Sequence, residues 1–252
     1  MNPSVILKAV NLCKTYNSGG EQFHAVRNVS LDIRQGEFTV IMGDSGSGKS
    51  TLLYVLSGMD EQTSGEIHFG GERIDRYKEK QMAAFRSRKI GYIYQSINLV
   101  PDLNLFENIA LPGYIAGLGK STVQKRAAEL MDEMEIGNLR RRLPSQVSGG
   151  QQQRAAIARA LIHSPDLLFA DEPTGSLNYE HGAAVLDILS EYNRRGQSIV
   201  MVTHDIKAAA RADRLILIRD GRIGGELDFG EFPEANTAQR EEMIFAFVTG
   251  KE

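Results

Sequence analysis

Apolar runs broken by glycine-containing turns alternate along most of this chain. Val5–Leu12 and Ala25–Ile33 have strand character, the second partly alternating, and Tyr16-Asn17-Ser18-Gly19-Gly20 between them reads as a turn or loop. Gln35-Gly36 turns into Glu37–Met42, a short apolar run expected to be a buried strand, and Thr51–Ser57 reads as a helix that stops at Gly58. A short strand is expected at Gly65–Phe69, a polar helix from Lys78 to Ser87, and a strand at Ile90–Tyr94. From Ser96 to His163 the signals are mostly helical: Val123, Ala127, Leu130, Met131 and Met134 share one face behind the capping-box pattern Ser121-Thr122-Val123-Gln124. Strand character returns at Asp166–Ala170, and a helix follows with Val185, Leu186, Leu189 and Tyr192 inward. Ser198–Val202 is almost continuously apolar, as a strand buried on both faces would be. Leu215–Ile218 and Arg222-Ile223 flank Asp220-Gly221, a hairpin signal. Thr237 to Val248 reads as a last helix whose Met243, Ile244, Phe247 and Val248 dock on the body or meet a partner.

This order predicts an α/β fold with a mainly parallel sheet, an antiparallel portion near the N-terminus and a helical subdomain, about residues 96–163, inserted in the core. Composition narrows the class. The 252 residues are 42% hydrophobic and 24% charged, ordinary for a globular protein. A net charge of -3 gives no electrostatic case for nucleic acid as the main partner. A lone cysteine, Cys13, rules out an intrachain disulfide framework and reads as an inert buried thiol. Met1-Asn2-Pro3-Ser4 has no secretory pattern, and no apolar stretch reaches the roughly 18 residues of a membrane helix. The expectation is a soluble chain that reaches a membrane only through a partner. Arg140-Arg141-Arg142 is expected to be a solvated or ion-paired surface.

One stretch organises the rest. Gly43-Asp44-Ser45-Gly46-Ser47-Gly48-Lys49-Ser50 fits G-x-x-x-x-G-K-[ST], lies between the expected strand and the expected helix, and with Thr51 forms the expected nucleotide-binding segment. Its glycines let the backbone wrap a polyphosphate and aim N–H groups inward, and the helix start adds partial positive charge. Lys49 would sit on the β- and γ-phosphates, and the Ser50 hydroxyl is placed to coordinate Mg²⁺.

The carboxylates Asp171 and Glu172 follow the apolar run ending in Phe169-Ala170. Beside a phosphate loop, Asp171 would hold Mg²⁺ and Glu172 would polarise the attacking water. His204 follows the run Met201-Val202-Thr203, where a strand end should face the nucleotide, and its imidazole could hydrogen-bond a γ-phosphate oxygen. His24, His68, His163 and His181 have no such context and receive no function.

Val147-Ser148-Gly149-Gly150-Gln151-Gln152-Gln153-Arg154 resembles the signature of the ATP-binding-cassette (ABC) ATPases. With the phosphate loop, Gln95, Leu167–Glu172, Ser176-Leu177-Asn178 and His204, the order and spacing resemble that family from about Val5 to Leu227. The resemblance implies a RecA-like phosphate-loop NTPase core over residues 1–227 and a tail over 228–252. It implies ATP and Mg²⁺ as ligands, and head-to-tail dimers that sandwich two ATP molecules. Ser148, Gly149, Gly150 and Gln151 would then complete the neighbouring subunit's ATP site. Tyr16 matches the aromatic that stacks on adenine, and Gln95 the glutamine that senses Mg²⁺ and serves catalysis with Lys49, Glu172 and His204.

Gly91–Pro101 and Glu107–Pro112 look like the subgroup of macrolide efflux, lipoprotein release and antimicrobial-peptide resistance ATPases. That likeness implies a separate membrane permease docking near Gln95–Asn108, a place on the cytoplasmic face of the cell membrane, and mechanical work on the permease, chiefly for export. An importer subunit shares the same ATPase chemistry and stays open at this stage, as does a soluble family member. The chain departs from the family at Asn178, where an aspartate is usual. That puts the coupling between the two ATP sites in doubt, while Asn178 can still cap the next helix.

Overall fold

The computed structural model describes residues 4–229 and 237–250. They form two compact units, one of residues 4–78 with 193–229 and 237–250, the other of residues 79–192.

In the first unit β1 (Val5–Ser18) and β2 (Glu21–Arg34) form a long antiparallel hairpin closed by Gly19-Gly20 at φ 59° and 87°. The strands run further than the apolar pattern suggests, so Tyr16 lies in β1 rather than in a loop, paired with Phe23. β4 (Ser64–Phe69) adds to β1, and β5 (Glu72–Arg73) to β4, giving the expected antiparallel portion. Cys13 in β1 is only partly buried, and its sulfur accepts the Asn28 N–H at 3.2 Å.

The other layer of this unit is built on β3 (Phe38–Met42), buried at every position. It runs parallel to β8 (Ser198–Val202) on one side and β9 (Arg214–Arg219) on the other, with Val40 opposite both Met201 and Leu215. Burial on both faces explains why these strands read as apolar runs rather than alternating ones. β10 (Arg222–Asp228) returns antiparallel to β9 through Asp220 and Gly221, both left-handed at φ 49° and 75°, the turn that the Asp-Gly pair predicts. α1 (Lys49–Leu56) follows β3, and the short α7 (Ile206–Ala209) follows β8. Arg214, buried in β9, donates to Glu37 at 2.7 Å and Glu226 at 3.1 Å and also reaches the Asp32 carbonyl. This network pins β9 and β10 to the end of β2 and the start of β3.

The final helix α8 (Thr237–Thr249) exists as expected, and most of its expected face docks: Phe247 lies against Gly225, where a β-carbon would meet its ring at 2.7 Å, and Val248 is half-buried. Ile244 is fully buried while Met243 is 46% exposed. Another anchor is Arg240, whose guanidinium donates to the carbonyls of Ala210, Ala212 and Phe229. The first two close the C-terminal end of α7, where helix carbonyls lack partners. Burial lowers the Arg240 pKa from its ordinary value.

The second unit begins with α2 (Glu79–Lys89) and β6 (Ile90–Ile93), which runs parallel to β7 (Leu167–Asp171). Between them lie α3 (Leu105–Ile115), α4 (Lys120–Glu133) and α5 (Gly149–Leu161). α4 shows the predicted apolar face, but it starts at Lys120 behind Gly119, so the Ser121 capping box is not used. Instead Asn104 and Glu107 make a capping box that starts α3. Ala155, Ala156 and Ala158 of α5 have no exposure, and a β-carbon on Gly91 of β6 would come within 2.6 Å of the Ala160 carbonyl. Alanine and glycine are there because helix and strand backbones approach closely. α6 (Tyr179–Arg194) buries Val185, Leu186 and Leu189 as expected, and the Tyr192 hydroxyl donates to Glu133 at 2.6 Å.

Candidate nucleotide-binding and catalytic site

The predicted site residues divide between the units. Tyr16, the 43–51 stretch and His204 belong to the first; Gln95, Ser148–Gln151, Asp171 and Glu172 belong to the second.

In the first unit β3 ends at Met42 and the chain turns at Gly43. A β-carbon there would lie 2.1 Å from the Ile218 carbonyl oxygen, at φ +153°. Gly48, at φ +98°, would bring one within 2.0 Å of the Ala25 carbonyl. Both glycines are required by backbone pressed against backbone. Gly46, also left-handed at φ +78°, has nothing within 4 Å of its would-be β-carbon, so the loop's crest is open. Gly221 props the loop from behind: its N–H donates to the Ser47 carbonyl at 2.9 Å, and its carbonyl accepts the Arg27 N–H at 2.7 Å. The buried Lys49 ammonium arches back over the loop and donates to the carbonyls of Gly43 at 2.9 Å and Asp44 at 2.8 Å. The loop is therefore held in shape by backbone contacts and by Lys49, with a buried polar atom, Ser47 Oγ, lacking a hydrogen-bond partner among the described residues. A pre-shaped glycine cradle at the start of α1, carrying a lysine and a hydroxyl, fits a polyphosphate.

Tyr16 is 39% exposed. Its hydroxyl donates to Asp60 at 2.7 Å, and the Lys14 ammonium, 2.6 Å from Asp60, stands 4.8 Å from the Tyr16 ring centre. Burial, then the Asp60 bond, raises the Tyr16 pKa, while a Thr51 hydrogen bond opposes them. Burial also works to raise the Asp60 pKa, but the Lys14 and Tyr16 bonds outweigh it and hold that carboxyl below its ordinary value. The tyrosine is thus fixed beside the helix that carries the phosphate loop. His204 is exposed just past β8, and Asp205 caps α7 by accepting the Lys207 N–H.

In the second unit Asp171 ends β7 with 3% exposure. Glu172 follows at φ +44°, left-handed for a residue that avoids it, a strain of about 1 kcal/mol or more. The Gln95 side-chain amide donates to its carboxylate at 3.1 Å. The structure thus brings Gln95 and Glu172 together. Arg159 of α5 donates to the Ile97 carbonyl at 2.8 Å and also to that of Asn98, so the segment after Gln95 is tethered to α5. Burial lowers the Arg159 pKa. Ser148 caps α5: its Oγ accepts the Gln151 N–H at 3.3 Å, and the Gln151 side chain accepts the Ser148 N–H at 3.0 Å. Gly149 and Gly150 lie in the first turn of α5, whose N–H groups have no intrahelical acceptor.

Sequence reasoning missed two side chains. Arg159 gives no local signal, because its partners are carbonyls of a distant segment. His181 was passed over, yet its ring bonds Asn178 and lies against Gly150. The Asn178 side chain also accepts the His181 N–H at 3.0 Å, so the capping role read for it is present.

No cluster of three or more His, Cys, Asp or Glu side chains suited to a metal occurs among the described residues. Mg²⁺ does not need one, since it takes one or two protein oxygens alongside phosphate and water. The Ser50 hydroxyl and Asp171 carboxylate are donors of that kind.

A parallel strand running into a glycine cradle that opens a helix, in a chain with a buried aspartate at another strand end, defines a phosphate-loop nucleoside triphosphatase. The chain belongs to the ABC transporter family, whose model matches residues 26–175, and it is an ATPase of that family. It is 40% identical over 230 residues to an uncharacterized ABC transporter ATP-binding protein, YknY of Bacillus subtilis, covering 90% of this chain and 100% of that one. It is 39% identical over 240 residues to the macrolide export ATP-binding/permease protein MacB of Brucella melitensis, covering 94% of this chain but 37% of that protein. Among solved structures it resembles the ATP-binding cassette MJ0796 in a dimeric post-hydrolysis state bound to ADP and Pi. That match has a TM-score of 0.84 and 37% identity, over 90% of this chain and 100% of the other. The fold read from the sequence, α/β with a parallel sheet and an antiparallel N-terminal sheet, is that of these cassettes.

Proposed function

We propose that this chain is the ATPase subunit of a bacterial exporter of the MacB kind, in which two copies close on two ATP molecules and drive a separate membrane permease. One observation carries the reading: the chain holds two glycine-containing helix starts of a kind suited to anions, α1 behind Gly48 and α5 behind Ser148. The first has its own lysine. The second has amides and a capping serine but no catalytic group beside it in sequence, which suits a phosphate brought by another copy. The dimeric MJ0796 cassette supports that arrangement, and the combined ATP-binding/permease chain of MacB supports a membrane partner and export.

In this reading Gly43–Thr51 cradles the phosphates, Lys49 neutralises the β- and γ-phosphates, and Tyr16 stacks on adenine. Ser50 and Asp171, with Gln95, hold Mg²⁺, which supplies positive charge to the phosphate oxygens. Glu172 takes a proton from the attacking water, Gln95 orients that carboxylate, and His204 donates a hydrogen bond to the γ-phosphate. Ser148, Gly149, Gly150 and Gln151 cover the partner's ATP.

The permease would meet the region read as Gln95–Asn108, refined by exposure. Leu105, Asn108 and Ile109 are buried, while Val100, Leu111, Tyr114 and Ile115 are exposed apolar side chains at or beside α3. No helix among the described residues is long and apolar enough to cross a membrane, so the proposed place is the cytoplasmic face of the cell membrane, through the permease.

Glu172→Gln tests the chemistry. It should bind ATP like wild type and lose turnover by roughly 100-fold or more, the scale of a general base. Turnover by Glu172→Gln equal to wild type would overturn the assignment.

A further inference from the structure

We infer that His181 is a positioning residue that locks the loop after Glu172 to the signature turn of the same subunit, and so couples one ATP site to the other. The inference rests on the two-copy reading above.

Three residues of the second unit carry it. Asn178 Oδ1 accepts two hydrogen bonds from His181, one from the backbone N–H at 3.0 Å and one from ring Nδ1 at 2.7 Å. The backbone N–H can only donate, so the Asn178 atom it meets is the oxygen. Nδ1 must then carry a proton, which fixes the tautomer of the neutral ring. The other edge of the ring lies on the first turn of α5: a β-carbon on Gly150 would sit 2.1 Å from His181 Cδ2 and 3.1 Å from Nε2. Gly150 is not left-handed, so its backbone does not demand glycine. The histidine ring does. Leu177 flanks the neighbouring position, its Cδ2 3.7 Å from a β-carbon on Gly149.

The same loop runs back to the catalytic carboxylate in tight turns. Leu177 N–H donates to the Thr174 carbonyl at 3.0 Å, and Gly175 N–H to the Glu172 carbonyl at 3.0 Å. A phosphate drawn onto Gly149 and Gly150 belongs to the partner's ATP, whereas Glu172 acts on the subunit's own. His181 joins the two, and the neutral Asn178 makes the join depend on this ring hydrogen bond rather than on a loop charge.

The test uses ATP turnover of the intact protein with its permease. His181→Ala should leave ATP affinity at the phosphate loop within about twofold, lower kcat several-fold and bring the Hill coefficient for ATP toward one. His181→Gln, whose side-chain amide can donate to Asn178, should restore most of both. Unchanged kcat and Hill coefficient in His181→Ala, with wild type cooperative, would overturn the inference alone; a non-cooperative wild type that stays monomeric with ATP would overturn the two-copy reading beneath it. A melting cycle reads the packing independently of ATP. Gly150→Ala should lower Tm by roughly 2–6 °C with His181 present and by much less in the His181→Ala background. Equal drops in both backgrounds would show that the ring does not rest on Gly150.

Discussion

The chain has two glycine-rich helix starts, and they need glycine for different reasons. Before α1, Gly48 is left-handed, and a β-carbon there would lie 2.0 Å from the Ala25 carbonyl oxygen, a backbone atom. At the start of α5, Gly150 has ordinary backbone angles and is pressed by an imidazole, a side chain that can swing away. In the proposed reading the first start is a fixed mould for the chain's own phosphates. The second is held by a serine cap, a histidine and a leucine, so it can shift with its neighbours. The difference suits a protein that binds nucleotide in one place and senses it in another.

Breaking the fixed mould should have the largest effect. Gly48→Ala adds a clash that no rotamer relieves and an unfavourable backbone region, a loss of about 3 kcal/mol read by denaturant unfolding, with ATP binding lost as well. A well-folded Gly48→Ala protein that binds ATP would make the two starts equivalent. Next comes Lys49→Ala, which removes the charge on the phosphates and two bonds across the loop. ATP affinity should fall roughly 10–100-fold by calorimetry, with little change in monomer fold.

The adjustable start should lose less. Ser148→Ala removes the cap of α5 and should cost about 1 kcal/mol of stability. ATP affinity of the isolated chain should be unchanged while turnover falls, if the serine serves the partner's site as proposed. Reduced affinity in the monomer would remove that distinction.

The smallest effect sharpens the contrast through pH. His163, just past the C-terminal end of α5, donates Nε2–H to the Ile90 carbonyl at 3.0 Å, and its buried Nδ1 has no hydrogen-bond partner among the described residues. Burial, with a lesser push from Arg126, lowers its pKa below 6.5 against the opposing Ile90 bond. The neutral ring is therefore the one that folding favours. Its contribution is present above about pH 6.5 and is lost as pH falls from there through the folded value. Between pH 8 and 5.5, Tm of wild type should drop more than Tm of His163→Gln; equal drops would show that His163 does not titrate against folding.

The sequence revealed most where chemistry needs a fixed local pattern. The phosphate loop was legible because backbone contact at Gly43 and Gly48 leaves no other residue possible. The strands β3, β8 and β9 were legible because burial on both faces demands apolar runs. The Asp220-Gly221 turn was legible because both positions are left-handed. Where the deciding partner is remote, the pattern was silent or misleading. Ser121 looked like a cap, but α4 starts behind Gly119. Met243 looked like a core residue, but Arg240 takes the buried place because the open carbonyls at the end of α7 await donors. Tyr16 looked like a turn residue, but the hairpin continues to Ser18 and Asp60 holds the ring. Gln95 and Glu172 were named singly, and only the fold shows their hydrogen bond. His181 carried no signal at all, since Gly150 meets it only in three dimensions.

The central claim is that one chain supplies half of each ATP site. It is tested most directly by light scattering on purified Glu172→Gln saturated with Mg²⁺ and ATP. The account predicts a shift from monomer to dimer mass that reverses when ATP is removed and disappears when Gly149 and Gly150 are both changed to bulky residues. Monomer mass at saturating ATP, both alone and with the permease present, would contradict it.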